Sequence, residues 1–198
     1  MNRDFAEFKY RNLQPRRMLL LRLVWELVWL LAFRPTPRWA LHGWRRTLLR
    51  LFGAKIGPGC RIAPTCFVWA PWNLEMGTLS VLGDHVDCYS MNRIRIGSKV
   101  AVSQRSFLCT GSHDINSLSR PLVTEPIDIG DHVWIAAESM VMPGVSIGEG
   151  VVVGARSLVT KDLPPWTVCA GNPCRPIRQR EIGPAEVPGI SPPAAQED

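Results

Sequence analysis

The sequence predicts an all-β domain in which short parallel strands wind into a stacked coil, a parallel β-helix, with a helical segment in front of it. Three observations predict it: aliphatic residues at every sixth position, small residues at fixed offsets from them, and a change of composition near residue 55. Between Ile127 and Lys161 the positions Ile129, Ile135, Val141, Ile147, Val153 and Val159 are aliphatic without exception, and Gly130, Ala136, Gly148 and Gly154 follow four of them. Four residues after each aliphatic position stand Val133, Ser139, Val145, Val151, Ser157 and Leu163. The same register runs through Ile96, Val102 and Leu108 with Val100 and Ser106, and through Ile56, Ile62 and Val68 with Cys60 and Cys66. A helix would recur at three and four and an ordinary strand at two, so a period of six means a short strand and a turn, repeated. Such a side buries its inward residue only if the sides close into a coil and the coils stack at about 4.8 Å. Glycine and other small residues are expected to let the backbone bend at the corners. Three hexapeptides per coil give about five coils, with the register slipping between Leu74 and Ile94.

The segment before the repeat reads as two helices. Met18 to Phe33 is nearly all apolar but carries Arg22 and Glu26 at i and i+4, where they can pair on one face. Sixteen residues with two central charges favour an interfacial or buried helix over a spanning one, and Pro35 and Pro37 end it. Trp39 to Phe52 places Trp44, Leu48, Leu51 and Phe52 on one side, with Arg45, Arg46 and Arg50 mostly off it, as in an amphipathic basic helix. Docking at a membrane surface and packing as a lid on the main domain or on a neighbouring subunit both fit that pattern.

Residues 1–55 hold twelve Lys/Arg against three Asp/Glu, whereas residues 56–198 hold eleven against fourteen. The positive charge belongs to the front. Because its arginines are interleaved with Trp and Leu on helical segments, anionic lipid or a partner protein is favoured there, and nucleic acid is not expected. Cys60, Cys66, Cys88, Cys109, Cys169 and Cys174 form no CxxC pair and follow no cleavable signal peptide, which points to a reduced, cytoplasmic setting. Cys60 and Cys66 occupy inward repeat positions, where packing outweighs metal binding.

Residues 1–55 are thus expected to form the helical segment, 56–182 the β-helix and 183–198 a disordered tail rich in proline. One long interruption, Gly111 to Pro126, breaks the repeat, and an excursion of this size is more often functional than accidental.

Thr110-Gly111-Ser112-His113, Asp131-His132-Val133-Trp134-Ile135-Ala136, the run from Val153 to Asp162, and Ala170-Gly171-Asn172-Pro173-Cys174-Arg175 together resemble the hexapeptide-repeat acetyltransferases, closest to those of colanic acid biosynthesis. The resemblance covers nearly the whole chain. It implies a left-handed coil, an exception to the usual crossover hand, and a homotrimer with acyl-donor sites in clefts between neighbouring prisms. It also implies acetyl-CoA as co-substrate, a sugar hydroxyl in exopolysaccharide assembly as acceptor, and direct transfer without an acyl-enzyme or a metal.

Acetyl transfer from a thioester to an alcohol needs a base, because a hydroxyl attacks poorly until its proton is being removed. In the family the histidine of the excursion plays that role, and here it is His113; His42 lies on the basic helix, and His85 and His132 occupy turns of the repeat. The resemblance puts the oxyanion donor at the backbone N–H of Ala137, where relatives often carry a hydroxyl-bearing residue. Asp87 and Asn92 are acceptor-binding candidates, with surface turn residues as the plain alternative. For the donor, Trp134 offers a flat wall or a packing residue between subunits. Ala155, Thr160 and Lys161 match CoA-lining positions, and Arg175 and Arg178 would meet its phosphates unless they form a solvated basic end. Two other readings compete: a non-catalytic β-helix scaffold at the inner face of a membrane, and a zinc enzyme of the γ-carbonic-anhydrase kind using His85, His113 and His132. Those three lack the close histidine pair of that class.

Overall fold

In a computed structural model of the chain, residues 15–183 are described. The expected disorder of the tail falls, from residue 184 on, outside the described residues, as do residues 1–14 of the helical segment. Helix α1 (Arg16–Val28) runs into a wider π-type turn, Trp29–Phe33, and helix α2 (His42–Leu51) follows. From Lys55 the chain forms a left-handed parallel β-helix whose strands fall on three faces.

Face A stacks Lys55–Ile56, Leu74–Met76, Ile94–Ile96, Ile127–Ile129 and Ser146–Ile147. Face B stacks Arg61–Ile62, Val81–Leu82, Ala101–Val102, Trp134–Ile135, Val152–Val153 and Thr167–Gly171. Face C stacks Phe67–Val68, Asp87–Tyr89, Phe107–Cys109, Met140–Val141 and Leu158–Val159. Among the described residues this makes five complete coils and a sixth that closes on face B, where Cys174–Gln179 turns back antiparallel. The repeat residues are the core: Ile62, Ile135, Val141, Val153 and Val159 are fully buried. All six cysteines are free and buried, Cys60 and Cys66 completely.

The slipped register has a simple geometry. Successive face A strands pair Met76 with Ile96 and Ile56 with Met76, twenty residues apart, whereas Ile129 pairs with Ile147, eighteen apart. The surplus lies at the corner between faces C and A, which holds the short helix Pro71–Asn73 in the first coil. The Gly111–Pro126 excursion leaves from that same corner of the third coil.

The small residues that directly follow the aliphatic positions do not bend the corners, contrary to the sequence expectation. Positive φ falls three places after the aliphatic residue, at His132, Glu138, Gly144, Gly150 and Arg156, and three of these are not glycine. Each keeps the left-handed conformation while its amide bonds to the coil before it, as Glu138 N donates to Gln104 O and Arg156 N to Ala137 O. Gly130 and Gly148 instead sit where stacked coils nearly touch: a Cβ would lie 2.7 Å from Glu149 N and 2.6 Å from Pro165 N, respectively.

The two helices close the open end of the coil. In the second coil the carbonyls of Met76, Ser80, Leu82, Val86 and Cys88 accept hydrogen bonds from first-coil amides. The equivalent carbonyls of the first coil have no coil beyond them, and side chains take its place one for one. Arg50 Nε donates to Ile56 O (3.0 Å), Arg46 Nη1 to Cys60 O (2.8 Å), Arg45 Nε to Ile62 O (2.7 Å), Trp29 Nε1 to Cys66 O (2.8 Å) and Trp25 Nε1 to Val68 O (2.6 Å). An exposed sheet edge is thereby removed. Of the two readings of α2, packing as a lid on the main domain is the one its contacts match: Arg45 is fully buried beside Leu48 and Leu49, and Leu51 is the residue left outside.

Candidate active site

The excursion folds into a two-stranded antiparallel hairpin, Gly111–His113 against Leu122–Thr124. Its root is fixed from below. A Cβ on Gly111 would lie 3.0 Å from both Met91 Sδ and Tyr89 Cε1, so glycine lets the hairpin settle on those side chains. Thr110 Oγ1 donates to Tyr89 O (2.7 Å) and accepts from Asn92 N (2.9 Å). His113, exposed at the end of the first strand, has Nδ1 2.7 Å from the carbonyl of Arg120 across the hairpin. A carbonyl can only accept, so Nδ1 carries the proton and Nε2 keeps its lone pair.

Asp87 stands on face C between Phe67 and Phe107, its register neighbours. Its Oδ1 is buried with no hydrogen-bond partner among the described residues, and burial pushes its carboxyl above the usual carboxylate range. Asn92 is committed differently: Nδ2 donates to Thr124 O and Oγ1 and so holds the corner to the hairpin, while Oδ1 accepts from the next residue, Arg93 N.

The remaining predicted residues fall at the two edges of face C and on face B. At the B–C edge, Ala137 and Ala155 stack at equivalent corners of the fourth and fifth coils, joined by Arg156 N to Ala137 O (2.9 Å). The Ala137 N–H has no acceptor among the described residues, and neither has that of Gln104 or Ala155 at equivalent corners, so this donor is left free at three successive corners of the B–C edge. Arg175 follows on the returning strand, paired with Ala170. Trp134, Val152, Val168 and Arg178 form one register line on face B, and Trp134 Nε1 donates to Ser103 Oγ (3.0 Å). At the C–A edge, Thr160 and Lys161 follow the last face C strand, on the side where the His113 hairpin emerges. One chain therefore does not bring the imidazole and the Ala137–Ala155–Arg175 column together. His85, His113 and His132 lie at three different places, and among the described residues no three His, Cys, Asp or Glu side chains converge as a metal site.

Sequence reasoning missed the carbonyl of Arg120, which orients the imidazole, because a backbone acceptor across a hairpin leaves no mark in residue identity. It also missed Tyr89, the floor under Gly111; the glycine of Thr-Gly-Ser-His was the available signal.

The family described as Bacterial transferase hexapeptide (six repeats) matches residues 126–161. A protein of Escherichia coli (strain K12) named for acetyl transfer in colanic acid biosynthesis, WcaF, is 46% identical over 157 residues, 79% of this chain and 86% of that protein. The chain belongs to the hexapeptide-repeat acetyltransferases. In structure this hexapeptide-repeat acetyltransferase is similar to a maltose O-acetyltransferase from Clostridium difficile 630, with a TM-score of 0.72 at 29% identity over 85% of this chain and 90% of that one. It is also similar to a galactoside acetyltransferase in complex with coenzyme A, with a TM-score of 0.78 at 25% identity over 87% of this chain and 86% of that one. It is an acyltransferase, and the hairpin histidine and the free corner amides are the groups of its fold suited to that chemistry.

Proposed function

We propose that the enzyme moves an acetyl group from acetyl-CoA to a sugar hydroxyl in the cytoplasmic assembly of an exopolysaccharide, by direct transfer with His113 as general base. The observation that carries this reading is the 2.7 Å contact of His113 Nδ1 with Arg120 O, which in the neutral imidazole places the proton on Nδ1 and the lone pair on Nε2. The acceptor hydroxyl gives its proton to Nε2 as its oxygen attacks the thioester carbon. The tetrahedral oxyanion forms against the Ala137 N–H, which waits without an acceptor. Its collapse breaks the C–S bond, and the imidazolium returns the proton to the departing sulfur. The products are an acetyl ester and the CoA thiol.

The likeness to WcaF supports an exopolysaccharide sugar as acceptor, and the CoA complex of the galactoside enzyme supports the donor. Asp87, with its unpartnered oxygen, is the acceptor-binding candidate; Asn92 holds the hairpin and acts on the acceptor through it. Trp134 walls the pantetheine, Ala155 with Thr160 and Lys161 lines it, and Arg175 and Arg178 meet its phosphates. Because the column at the B–C edge and the His113 hairpin occupy opposite edges of face C, the working site is assembled between copies, as a homotrimer provides.

The test is an acceptor screen with labelled acetyl-CoA, repeated with His113→Ala. The substitution lowers kcat by about 10²–10⁴-fold, with little change in the KM for acetyl-CoA. Transfer at the parent rate would overturn the base assignment.

A further inference from the structure

Among the described residues, none packs against one side of α1 and of the turn after it. Leu20, Leu23, Val24, Leu27, Leu30 and Leu31 recur at three- and four-residue spacings and share one side of the helix, with Leu27 59% and Leu31 72% exposed. The other side is the one that caps the first coil through Trp25 and Trp29 and buries Phe33. The helix is therefore apolar on both sides, and its outward ridge is a contact surface rather than a scatter of single exposed leucines.

The rim of the ridge says what covers it. Arg17 and Arg34, both exposed, stand before and after it along the chain, and Trp39, 84% exposed, follows beyond its far end. The arginines of α2 do not contribute, because Arg45, Arg46 and Arg50 donate to first-coil carbonyls. Among the described residues, Glu26 is paired with Arg22 and Asp84 with Arg38, so neither offers the ridge a free negative charge. Leucines in the middle with arginine and an exposed tryptophan at the margin match the layered chemistry of a bilayer interface, where acyl chains meet anionic headgroups. No helix among the described residues is long and apolar enough to cross a membrane.

We propose that the leucine ridge of α1 lies in the interfacial layer of an anionic lipid bilayer, with the prism standing on its capped end. The contact belongs to the first helix; the second, which the sequence marks as the amphipathic one, is occupied in closing the coil. The His113 hairpin leaves the third coil, two coil spacings of about 4.8 Å above the capped one, so the catalytic corner faces the headgroup region instead of being buried by docking. The inference stands whichever hydroxyl the enzyme acylates.

The test is co-sedimentation of the full chain with vesicles of phosphatidylcholine, alone or with roughly 30% phosphatidylglycerol. The chain pellets with the anionic vesicles, pellets much less with the neutral ones, and is partly released by about 0.5 M salt. Leu27→Glu with Leu31→Glu lowers the bound fraction at least about tenfold, while sedimentation-velocity mass, melting temperature and acetyl transfer to a water-soluble acceptor stay as in the parent. Arg17→Gln with Arg34→Gln removes the preference for anionic vesicles. A parent chain that stays in the supernatant, or a double-glutamate variant that binds as the parent does, overturns the proposal. A drop in oligomer mass in that variant also overturns it and assigns the ridge to another copy of the chain.

Discussion

The carboxyl of Asp87 sits between two phenylalanine rings on face C, and folding strengthens its hold on a proton through burial. Its raised folded pKa means that its contribution to stability is present below the unfolded carboxylate range and is lost as pH rises through the folded value. Asp87→Asn is therefore expected to melt at a higher temperature than the parent at pH 7, with the gap closing in acid, as thermal unfolding at both pH values would measure. If the carboxylate also binds the acceptor, the same substitution raises the KM for the sugar, so stability and activity move in opposite directions. A variant that melts lower at pH 7 would contradict the burial argument. His113 was legible because its motif carries it; what orients it was not, since the Arg120 carbonyl reaches it only after the hairpin has paired His113 with Leu122.

At the scale of the element, the helical cap shows how a basic amphipathic pattern can mislead. Arginines on α2 read as a charged surface because charge is normally solvated, yet Arg45 is buried and spreads its guanidinium over Ile62 O, Thr36 Oγ1, Pro37 O and His42 Nδ1. Arg45→Met keeps the apolar stem and removes the donors. Each buried carbonyl left without a partner costs about 1–3 kcal/mol, and Trp25→Phe, which orphans Val68 O, is expected to cost a similar amount. Leu51→Ala, on the outside of the same helix, is expected to stay within about 0.5 kcal/mol. Urea denaturation measures all three, and equal effects at Arg45 and Leu51 would remove the cap from the account. No spacing rule announces such a cap, because the carbonyls it serves belong to residues 56–68 and the donors to residues 25–50. Small residues after each aliphatic position were read correctly as required and wrongly as hinges. Gly148 is small because the next coil passes within contact distance, a fact of stacking rather than of local φ.

At the scale of the whole molecule, the junction between cap and prism is expected to weaken in acid. Burial above all, and then the charges of Arg45, Arg61 and Arg46, hold the pKa of His42 below its ordinary value of 6.5 while its Nδ1 accepts from Arg45. Folding thus disfavours the imidazolium, so stability is complete above the ordinary imidazole range and is lost as pH falls through it toward the folded value. The chain is expected to melt lower at pH 5 than at pH 7.5, and His42→Gln, whose carbonyl can still accept from Arg45, narrows that difference. An unchanged difference would move the acid sensitivity elsewhere.

By itself the sequence determined the winding of the chain, because a period of six in inward side chains has one economical packing solution and the period survives two-residue insertions at one corner. It also determined which histidine stands on the excursion. Tertiary structure alone decided where the helices spend their donors, which side of α1 is left open among the described residues, and that the His113 hairpin and the free corner amides lie on opposite edges of one face. Those outcomes depend on contacts between segments far apart along the chain, and the free energy of such contacts is a property of the stacked coils rather than of any local stretch of residues.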